Sequence, residues 1–164
     1  MIPPDEHRAC LLLGSNIRPE HYLPLAVELI QKHLTVLRAS SVWESGAVGS
    51  DGPNFLNVAL LASTGLGVTQ LKQQVLRPIE AQLGRVRTAD KNAARSMDID
   101  LILFDGELLD ANLWVYAYRA VPVSELLPEY VSTTGEPLER AAQRLVAAGS
   151  IRRRADVSLA KQVQ

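Results

Sequence analysis

The stretch MDIDLILF at positions 97–104 constrains the fold more than any other part of the chain. Apolar Met97 and Ile99 alternate in it with Asp98 and Asp100, and side chains two positions apart on a strand lie on the same face. We therefore predict a strand that buries its apolar face in a core. Its other face carries two carboxylates, which lie either in solvent or beside a positive charge that offsets their repulsion.

Short apolar runs separated by glycine-rich breaks predict an α+β fold. We predict strands over residues 9–13, 36–43, 55–61 and 97–104, and helices over residues 23–34, 69–83 and 138–146. Three glycines and a proline make residues 46–54 a loop, so the strands on either side form a long antiparallel hairpin. Pro78 lies inside the second helix and predicts a bend or a break there. The order β-α-β-β-α-β predicts a ferredoxin-like plait, which is an antiparallel sheet flanked by helices.

The composition excludes a strongly basic protein and an integral membrane protein. The chain has 164 residues, 47% hydrophobic and 21% charged, with a formal net charge of -1 at pH 7. This balance gives no electrostatic basis for binding nucleic acid or an anionic membrane. No apolar run approaches the ~20 residues of a membrane helix, and the N-terminus lacks a signal-peptide pattern. We expect a cytoplasmic monomer with small-molecule substrates, a single domain over residues 1–150 and a polar, frayed tail over residues 151–164.

A single cysteine, Cys10, excludes an intrachain disulfide. The absence of a disulfide fits a reducing compartment. Because Cys10 lies in an apolar run, we predict a buried strand position for it rather than a reactive thiol.

The pair of aspartates in the predicted strand at 97–104 is the strongest evidence in the sequence for a functional site. Two carboxylates on one face repel each other, and burial strengthens the repulsion. A divalent cation between Asp98 and Asp100 removes it, and magnesium prefers oxygen ligands completed by phosphates and water. The alternative is the solvated polar face of an edge strand. The spacing alone favours neither interpretation.

Basic residues upstream favour a metal-bound polyphosphate. Arg85 and Arg87 follow a glycine, Lys91 lies in the next loop, and Arg95 precedes the acidic strand. Guanidinium groups make paired hydrogen bonds to phosphate oxygens, and such cations beside a metal-binding carboxylate pair suit a polyphosphate. Alone, these residues would form a charged loop with surface ion pairs; beside the two aspartates we favour phosphate binding.

Two further groups of residues suggest contacts with a ligand. Glu80, on the helix before the arginines, either orients an arginine, binds a ligand hydroxyl or is an exposed helix carboxylate. Phe55 and Asn57 follow the glycine-rich loop, and an aromatic face beside an amide suits a flat heterocycle with donor and acceptor edges. The competing interpretation places Phe55 in the core.

Four segments together resemble the 6-hydroxymethyl-7,8-dihydropterin pyrophosphokinases. They are LGSN at 13–16, FLN at 55–57, GRVR at 84–87 and RSMDIDLILF at 95–104, and they run in register over about two-thirds of the chain. The resemblance implies a ferredoxin-like fold and the magnesium-dependent transfer of pyrophosphate from ATP to the hydroxymethyl group of the pterin, giving AMP, in folate biosynthesis. A paralogue that binds pterin or nucleotide without turnover, an enzyme for a modified pterin and a plain interaction module stay open as alternatives.

The resemblance also assigns roles to individual residues. It implies catalytic roles for Arg85, Arg95, Asp98 and Asp100; ATP binding by Glu80, Arg87, Lys91, Arg95 and Leu101; pterin binding by Ser45, Phe55, Asn57 and Tyr118; and two magnesium ions at Asp98 and Asp100.

The chain departs from this family in three places. SGA at 45–47 stands where the family has a threonine-proline-proline stretch. Asn92 stands where the family has a tryptophan in its catalytic loop. The segment at 113–123 is shorter than in the family and lacks its histidine. We expect Tyr118, or else Trp114, to replace the family's pterin-stacking phenylalanine, and Arg119 to supply a cation.

Overall fold

One antiparallel sheet organises the molecule. The computed structural model describes residues 6–47, 51–85 and 96–159. Its strands are β1 His7–Ser15, β2 Thr35–Ala39, β3 Trp43–Ser45, β4 Phe55–Thr64, β5 Asp98–Phe104, β6 Glu107–Leu108 and β7 Ile151–Arg153. Its helices are α1 Pro19–Gln31, α2 Val68–Leu71, α3 Arg77–Gln82, α4 Ala117–Leu126 and α5 Leu138–Ala147, and a π-helical turn, Lys72–Leu76, joins α2 to α3.

The strand order confirms the predicted α+β plait. Hydrogen-bonded neighbours run β6-β5-β1-β4-β3-β7, β2 pairs with β4, and every pair is antiparallel. The inner order, β5-β1-β4 followed by β2 and β3, is that of a ferredoxin-like sheet. No described helix has the length and apolar character needed to cross a membrane.

Helices cover both faces of the sheet, so its central strand is buried on both sides. Leu11 and Leu13 of β1 lie in a first core against α1, α2 and α3. Cys10 and Leu12 lie in a second core against α4 and α5. This two-sided burial explains the uninterrupted apolar run of β1. The buried position predicted for Cys10 is confirmed, and this burial raises the pKa of its thiol to about 12.

The predicted break at Pro78 is present, and it takes the form of a π-helical turn. Pro78 is the second residue of α3, and the N–H of Arg77 donates to the carbonyl of Lys72, five residues back. The wider turn accommodates a residue that has no N–H of its own and that clashes with the preceding turn of an α-helix. The predicted helix over residues 69–83 is therefore three consecutive pieces.

A Schellman turn at Gly84, immediately before Arg85, ends α3. Gly84 has a φ of 86°, its N–H donates to Ala81, and the N–H of Arg85 donates to Glu80, both at 3.0 Å. This is the bonding pattern of a left-handed C-terminal cap. The cap reverses the direction of the chain, so Arg85 lies beside the last turn of α3.

The prediction of one continuous strand over residues 36–43 is wrong. Residues 36–43 form two strands, β2 and β3, and residues 40–42 break them apart. The break follows from Ser40, whose hydroxyl accepts a hydrogen bond from the N–H of Ala59 at 2.8 Å. A side chain thus replaces a backbone partner, and β3 resumes the pairing with β4. The helix predicted over residues 23–34 begins earlier, at Pro19, and ends at Gln31.

The sequence prediction missed α4 and β7. Pro122 lies within α4, and an interior proline argues against a helix. The tail that we expected to be frayed forms β7 at its start, where Ile151 is 8% exposed and pairs with Ser45 of β3. The expectation of fraying is wrong for Ile151–Arg153, because an apolar anchor and ion pairs to Glu44 hold this strand.

We predict that Glu44 makes the attachment of β7 sensitive to acid. Hydrogen bonds from Asn54 and Arg154 lower the pKa of Glu44 below its ordinary value. Its contribution to stability is therefore fully present above the unfolded-state pKa and is lost as the pH falls through the lowered folded-state pKa. Glu44→Gln should remove this part of the acid dependence of the unfolding free energy, measured in urea between about pH 2 and pH 6.

Glu28, exposed on α1, provides the matched control for this measurement. Glu28→Gln should leave the acid dependence unchanged. Equal pH profiles for Glu44→Gln and the unaltered chain would contradict the prediction.

Candidate active site

A row of residues crosses the sheet from β4 to β5. Gly14 of β1 is paired with Asn57 of β4 on one side and with Asp98 of β5 on the other. Directly opposed residues in antiparallel strands point to the same face, so the amide and the carboxylate both rise from the face that α4 covers. A Cβ at Gly14 would lie 3.3 Å from Asn57 Oδ1 and 3.6 Å from Phe55 Cδ1. Because Gly14 has no side chain, bare backbone lies between the side chains of Asn57 and Asp98; we call this surface the floor of the site.

Sequence reasoning missed the role of Gly14. Its signal was a glycine inside an apolar strand, which often marks the close approach of a ligand or of another backbone. Gly14 enters the sequence prediction only through the LGSN segment at 13–16.

The carboxylates of β5 lie close enough to repel each other. Burial, followed by the charge of Asp98, raises the pKa of Asp100 to about 6, and Arg119 partly opposes the rise. Asp98 Oδ1 accepts a hydrogen bond from Arg85 at 2.5 Å. Within residues 6–47, 51–85 and 96–159, no three His, Cys, Asp or Glu side chains gather as a metal-binding group. Two carboxylates on one face of β5 are oxygen donors of the kind that hold a divalent cation together with ligands from a substrate and water.

Glu80 is a buried carboxylate that holds Arg85 in place. It is 2% exposed, so the interpretation as an exposed helix carboxylate is wrong. Its oxygens accept hydrogen bonds from Arg77, from Arg85 and from the N–H of Ile99, each at 2.8 Å. Arg85 thus lies between Glu80 and Asp98, and the end of α3 is tied to the start of β5.

Ser45, Phe55 and Asn57 come together where β3 and β4 begin their pairing. Ser45 is the cross-strand partner of Phe55. The amide nitrogen of Asn57 donates to the Ser45 hydroxyl at 2.9 Å and to the carbonyl of Trp43 at 3.1 Å. These two bonds fix the amide plane and leave its carbonyl oxygen on the Gly14 side, where it can accept a hydrogen bond from a ligand.

The start of α4 brings an aromatic ring and a cation to the same face. The guanidinium of Arg119 lies 5.0 Å from the ring centre of Tyr118. It makes ion pairs with Asp100 at 3.5 Å and with Asp110 at 2.5 Å. Of the two aromatic residues considered for stacking, Tyr118 therefore lies at the carboxylate pair. Trp114 stacks instead on Tyr130, with ring centres 5.7 Å apart.

The remaining predicted site residues lie elsewhere. Leu101 is buried in the first core, on the opposite side of the sheet from the row. Arg87, Lys91, Asn92 and Arg95 lie outside the described residues. Their predicted roles stay predictions.

Comparison with known proteins gives a family match. Residues 10–128 match the family described as 7,8-dihydro-6-hydroxymethylpterin-pyrophosphokinase (HPPK). The chain is 32% identical over 140 residues to a 2-amino-4-hydroxy-6-hydroxymethyldihydropteridine pyrophosphokinase of Synechocystis sp., covering 79% of this chain and 71% of the relative. It is 33% identical over 103 residues to the protein of the same name from Aquifex aeolicus, covering 62% and 63%.

Solved structures share the fold at low sequence identity. The crystal structure of Plasmodium falciparum HPPK-DHPS A437G with pteroate matches with a TM-score of 0.70 and 12% identity, over 90% of this chain and 46% of that one. The same protein with STZ-DHP matches with a TM-score of 0.72 and 11% identity, over 90% and 49%. This chain therefore spans about half the length of these structures, and at such identity they establish the fold alone.

We predict that Glu80 stabilises the fold as well as the site. Glu80→Gln leaves two guanidinium groups and a backbone N–H around a neutral amide, and loss of a buried ionic partner typically costs about 3 kcal/mol. Urea unfolding of this variant should give a loss of that order. Glu28→Gln, on the exposed face of α1, should stay within about 0.5 kcal/mol of the unaltered chain. Equal stabilities of the two variants would mean that the cluster around Glu80 contributes little.

Proposed function

Because this chain belongs to the 7,8-dihydro-6-hydroxymethylpterin-pyrophosphokinase family, we propose how its residues carry out the reaction of that family. The chain transfers pyrophosphate from ATP to the hydroxymethyl group of 6-hydroxymethyl-7,8-dihydropterin, a step of folate biosynthesis. The hydroxymethyl oxygen bonds to the β-phosphorus and its proton passes to water, the bond between that phosphorus and the bridging oxygen to the α-phosphate breaks, and AMP leaves. Little covalent chemistry falls to the protein, so positioning and charge stabilisation carry the catalysis.

Asp98 and Asp100 hold the magnesium that accompanies ATP. The donor set fits this metal, because both ligands are hard oxygens and the raised pKa of Asp100 reflects a repulsion that a cation relieves. When bound, magnesium neutralises the polyphosphate and stabilises the negative charge that develops during transfer. The presence of two ions follows from the resemblance and is part of this proposal.

Arg85 supplies the cation next to the metal ligands. Glu80 and Asp98 hold its guanidinium from two sides, so its direction is set before substrate binds. A fixed guanidinium loses little freedom when phosphate oxygens arrive, and this preorganisation lowers the cost of binding. Arg87, Lys91 and Arg95 complete the phosphate contacts in this proposal.

The pterin lies over Gly14, between Asn57 and the carboxylate pair. Asn57 and Asp98 stand two strands apart, which is about 10 Å at the usual strand spacing. That span suits a bicyclic ring that pairs with the Asn57 amide and directs its hydroxymethyl arm toward Asp98. Phe55 and Tyr118 contribute aromatic surface, and Ser45 holds the amide plane. The cross-sheet row is the single observation that carries this arrangement.

We further propose that the chain acts as a cytoplasmic monomer whose partners are ATP and the pterin. The pairing of Asn57 with Gly14 and of Gly14 with Asp98 within one chain supports this proposal. A second copy is therefore not required to complete the site.

We predict that the carboxylate pair is required for turnover. Asp98→Asn and Asp100→Asn should each lower AMP formation from ATP, magnesium and 6-hydroxymethyl-7,8-dihydropterin by about 10²-fold or more, since metal-held charge stabilisation is worth several kcal/mol. Asp51→Asn, in an exposed loop, should keep the rate of the unaltered chain. Absence of AMP from the unaltered chain would reject the reaction and favour a paralogue that only binds.

We predict that a side chain at Gly14 obstructs the pterin and not the nucleotide. Gly14→Ala places a methyl group 3.3 Å from Asn57 Oδ1, on the floor of the proposed pterin site. The KM for the pterin should rise about tenfold, a change within the usual cost of overpacking, while the KM for ATP stays nearly constant. Gly46→Ala, where a Cβ meets open space, is the control. A parallel rise of both KM values would contradict this placement of the pterin.

A further inference from the structure

Arg119 has no role in the mechanism above, yet neighbouring side chains hold it in place. Its guanidinium packs on the ring of Tyr118 and pairs with Asp110. The Arg119 side chain is 16% exposed and that of Asp110 is 18% exposed, so this is not a solvated surface pair. Because both side chains are mostly buried, the pair of Arg119 with Asp110 differs from exposed ion pairs between mobile side chains, which contribute little to stability.

Asp110 is itself anchored by its own turn. Its Oδ1 accepts a hydrogen bond from the N–H of Asn112 at 2.9 Å, and its Oδ2 takes the ion pair with Arg119. Leu113, in the same turn, is fully buried in the second core. The carboxylate that holds the arginine therefore has a fixed position.

At least one N–H group of the Arg119 guanidinium makes no hydrogen bond. Its ion pairs to Asp110 and Asp100 both use Nη1, and the contact with Asp100 is long at 3.5 Å. Arg119 Nε is buried and has no hydrogen-bond partner. Buried donors are nearly always paired, so an unpaired one calls for an explanation. A ligand that places a hydrogen-bond acceptor beside this guanidinium would explain the unpaired N–H group.

We propose that Arg119 binds the polyphosphate of ATP beside Asp100 and that Asp110 is the residue that positions Arg119. The inference rests on the proposed function, because any phosphate oxygen that shares a cation with Asp100 lies next to Asp100 and hence next to Arg119. The planar guanidinium matches phosphate oxygens with paired hydrogen bonds. Asp110 and Tyr118, which also shares a hydrogen bond with the guanidinium, hold Arg119 beside Asp100, where it can bind the nucleotide.

Calorimetric titration of the full-length chain tests the binding role of Arg119. The probe is magnesium with an ATP analogue that carries a methylene between its α- and β-phosphorus atoms. Arg119→Gln should weaken binding of this analogue about tenfold or more, the usual range for a charge-assisted hydrogen bond. The affinities for AMP and for the pterin should stay within about twofold. Equal losses for all three ligands, or no loss for the analogue, would overturn the proposal.

Two further variants keep the test independent of folding. Arg119→Lys keeps the charge and the aliphatic stem and loses the planar fork, so we expect it to recover part of the affinity. Arg144→Gln removes an arginine that pairs with Glu136 at 3.0 Å on the surface of α5, and it should bind the analogue as the unaltered chain does. A Lys variant no better than the Gln variant would assign the effect to the planar fork; a Lys variant equal to the unaltered chain would overturn the role of paired hydrogen bonds.

A double-mutant cycle tests the positioning role of Asp110. Asp110→Asn should weaken binding of the analogue. The combination with Arg119→Gln should be no weaker than Arg119→Gln alone, because Asp110 acts through the arginine. Additive losses would overturn the positioning role. Analogue binding that depends on Arg119 in a chain that forms no AMP would reject the proposed function and keep this inference, whereas normal turnover with unchanged binding in Arg119→Gln would do the reverse.

Discussion

The buried carboxylate of Glu80 is the interaction on which the arrangement of the site depends. It joins the end of α3 to the first residues of β5 by accepting hydrogen bonds from two arginines and from the N–H of Ile99. A carboxylate that is 2% exposed is costly to bury without such hydrogen-bond partners. The same contacts that satisfy Glu80 therefore also fix Arg85 beside Asp98, so the fold and the proposed phosphate-binding site share one set of bonds.

The residues of the proposed site lie on one face of the sheet because the register of the strands brings distant segments to one level. Asn57, Gly14 and Asp98 are far apart in sequence and adjacent in space. Asn57 and Asp98 are then separated by two strand spacings. Charge is distributed accordingly: the β5 carboxylates have arginines on both sides, Arg85 from the helix before them and Arg119 from the helix after them.

Periodicity and local rules predicted much of this architecture, while the rest depends on contacts between distant residues. The alternation around Asp98 and Asp100 predicted their shared face, and Pro78 predicted the break in its helix. The split between β2 and β3 depends on a hydroxyl of Ser40 that replaces a backbone partner. Likewise, the pairing of Asp110 with Arg119 requires α4, which the interior Pro122 concealed. Such side-chain contacts leave no periodic pattern in the sequence.

The π-helical turn at Lys72–Leu76 also fixes the direction in which the following residues face. Each residue of an α-helix turns the chain by about 100°, and a π turn holds one residue more than an α turn. Wound as a regular α-helix with the same number of residues, this segment would turn every later side chain, Glu80 included, by about 100°. Glu80 accepts the N–H of Ile99 in the direction that the π-helical turn gives it. The wide turn before Pro78 and the buried position of Glu80 are therefore coupled.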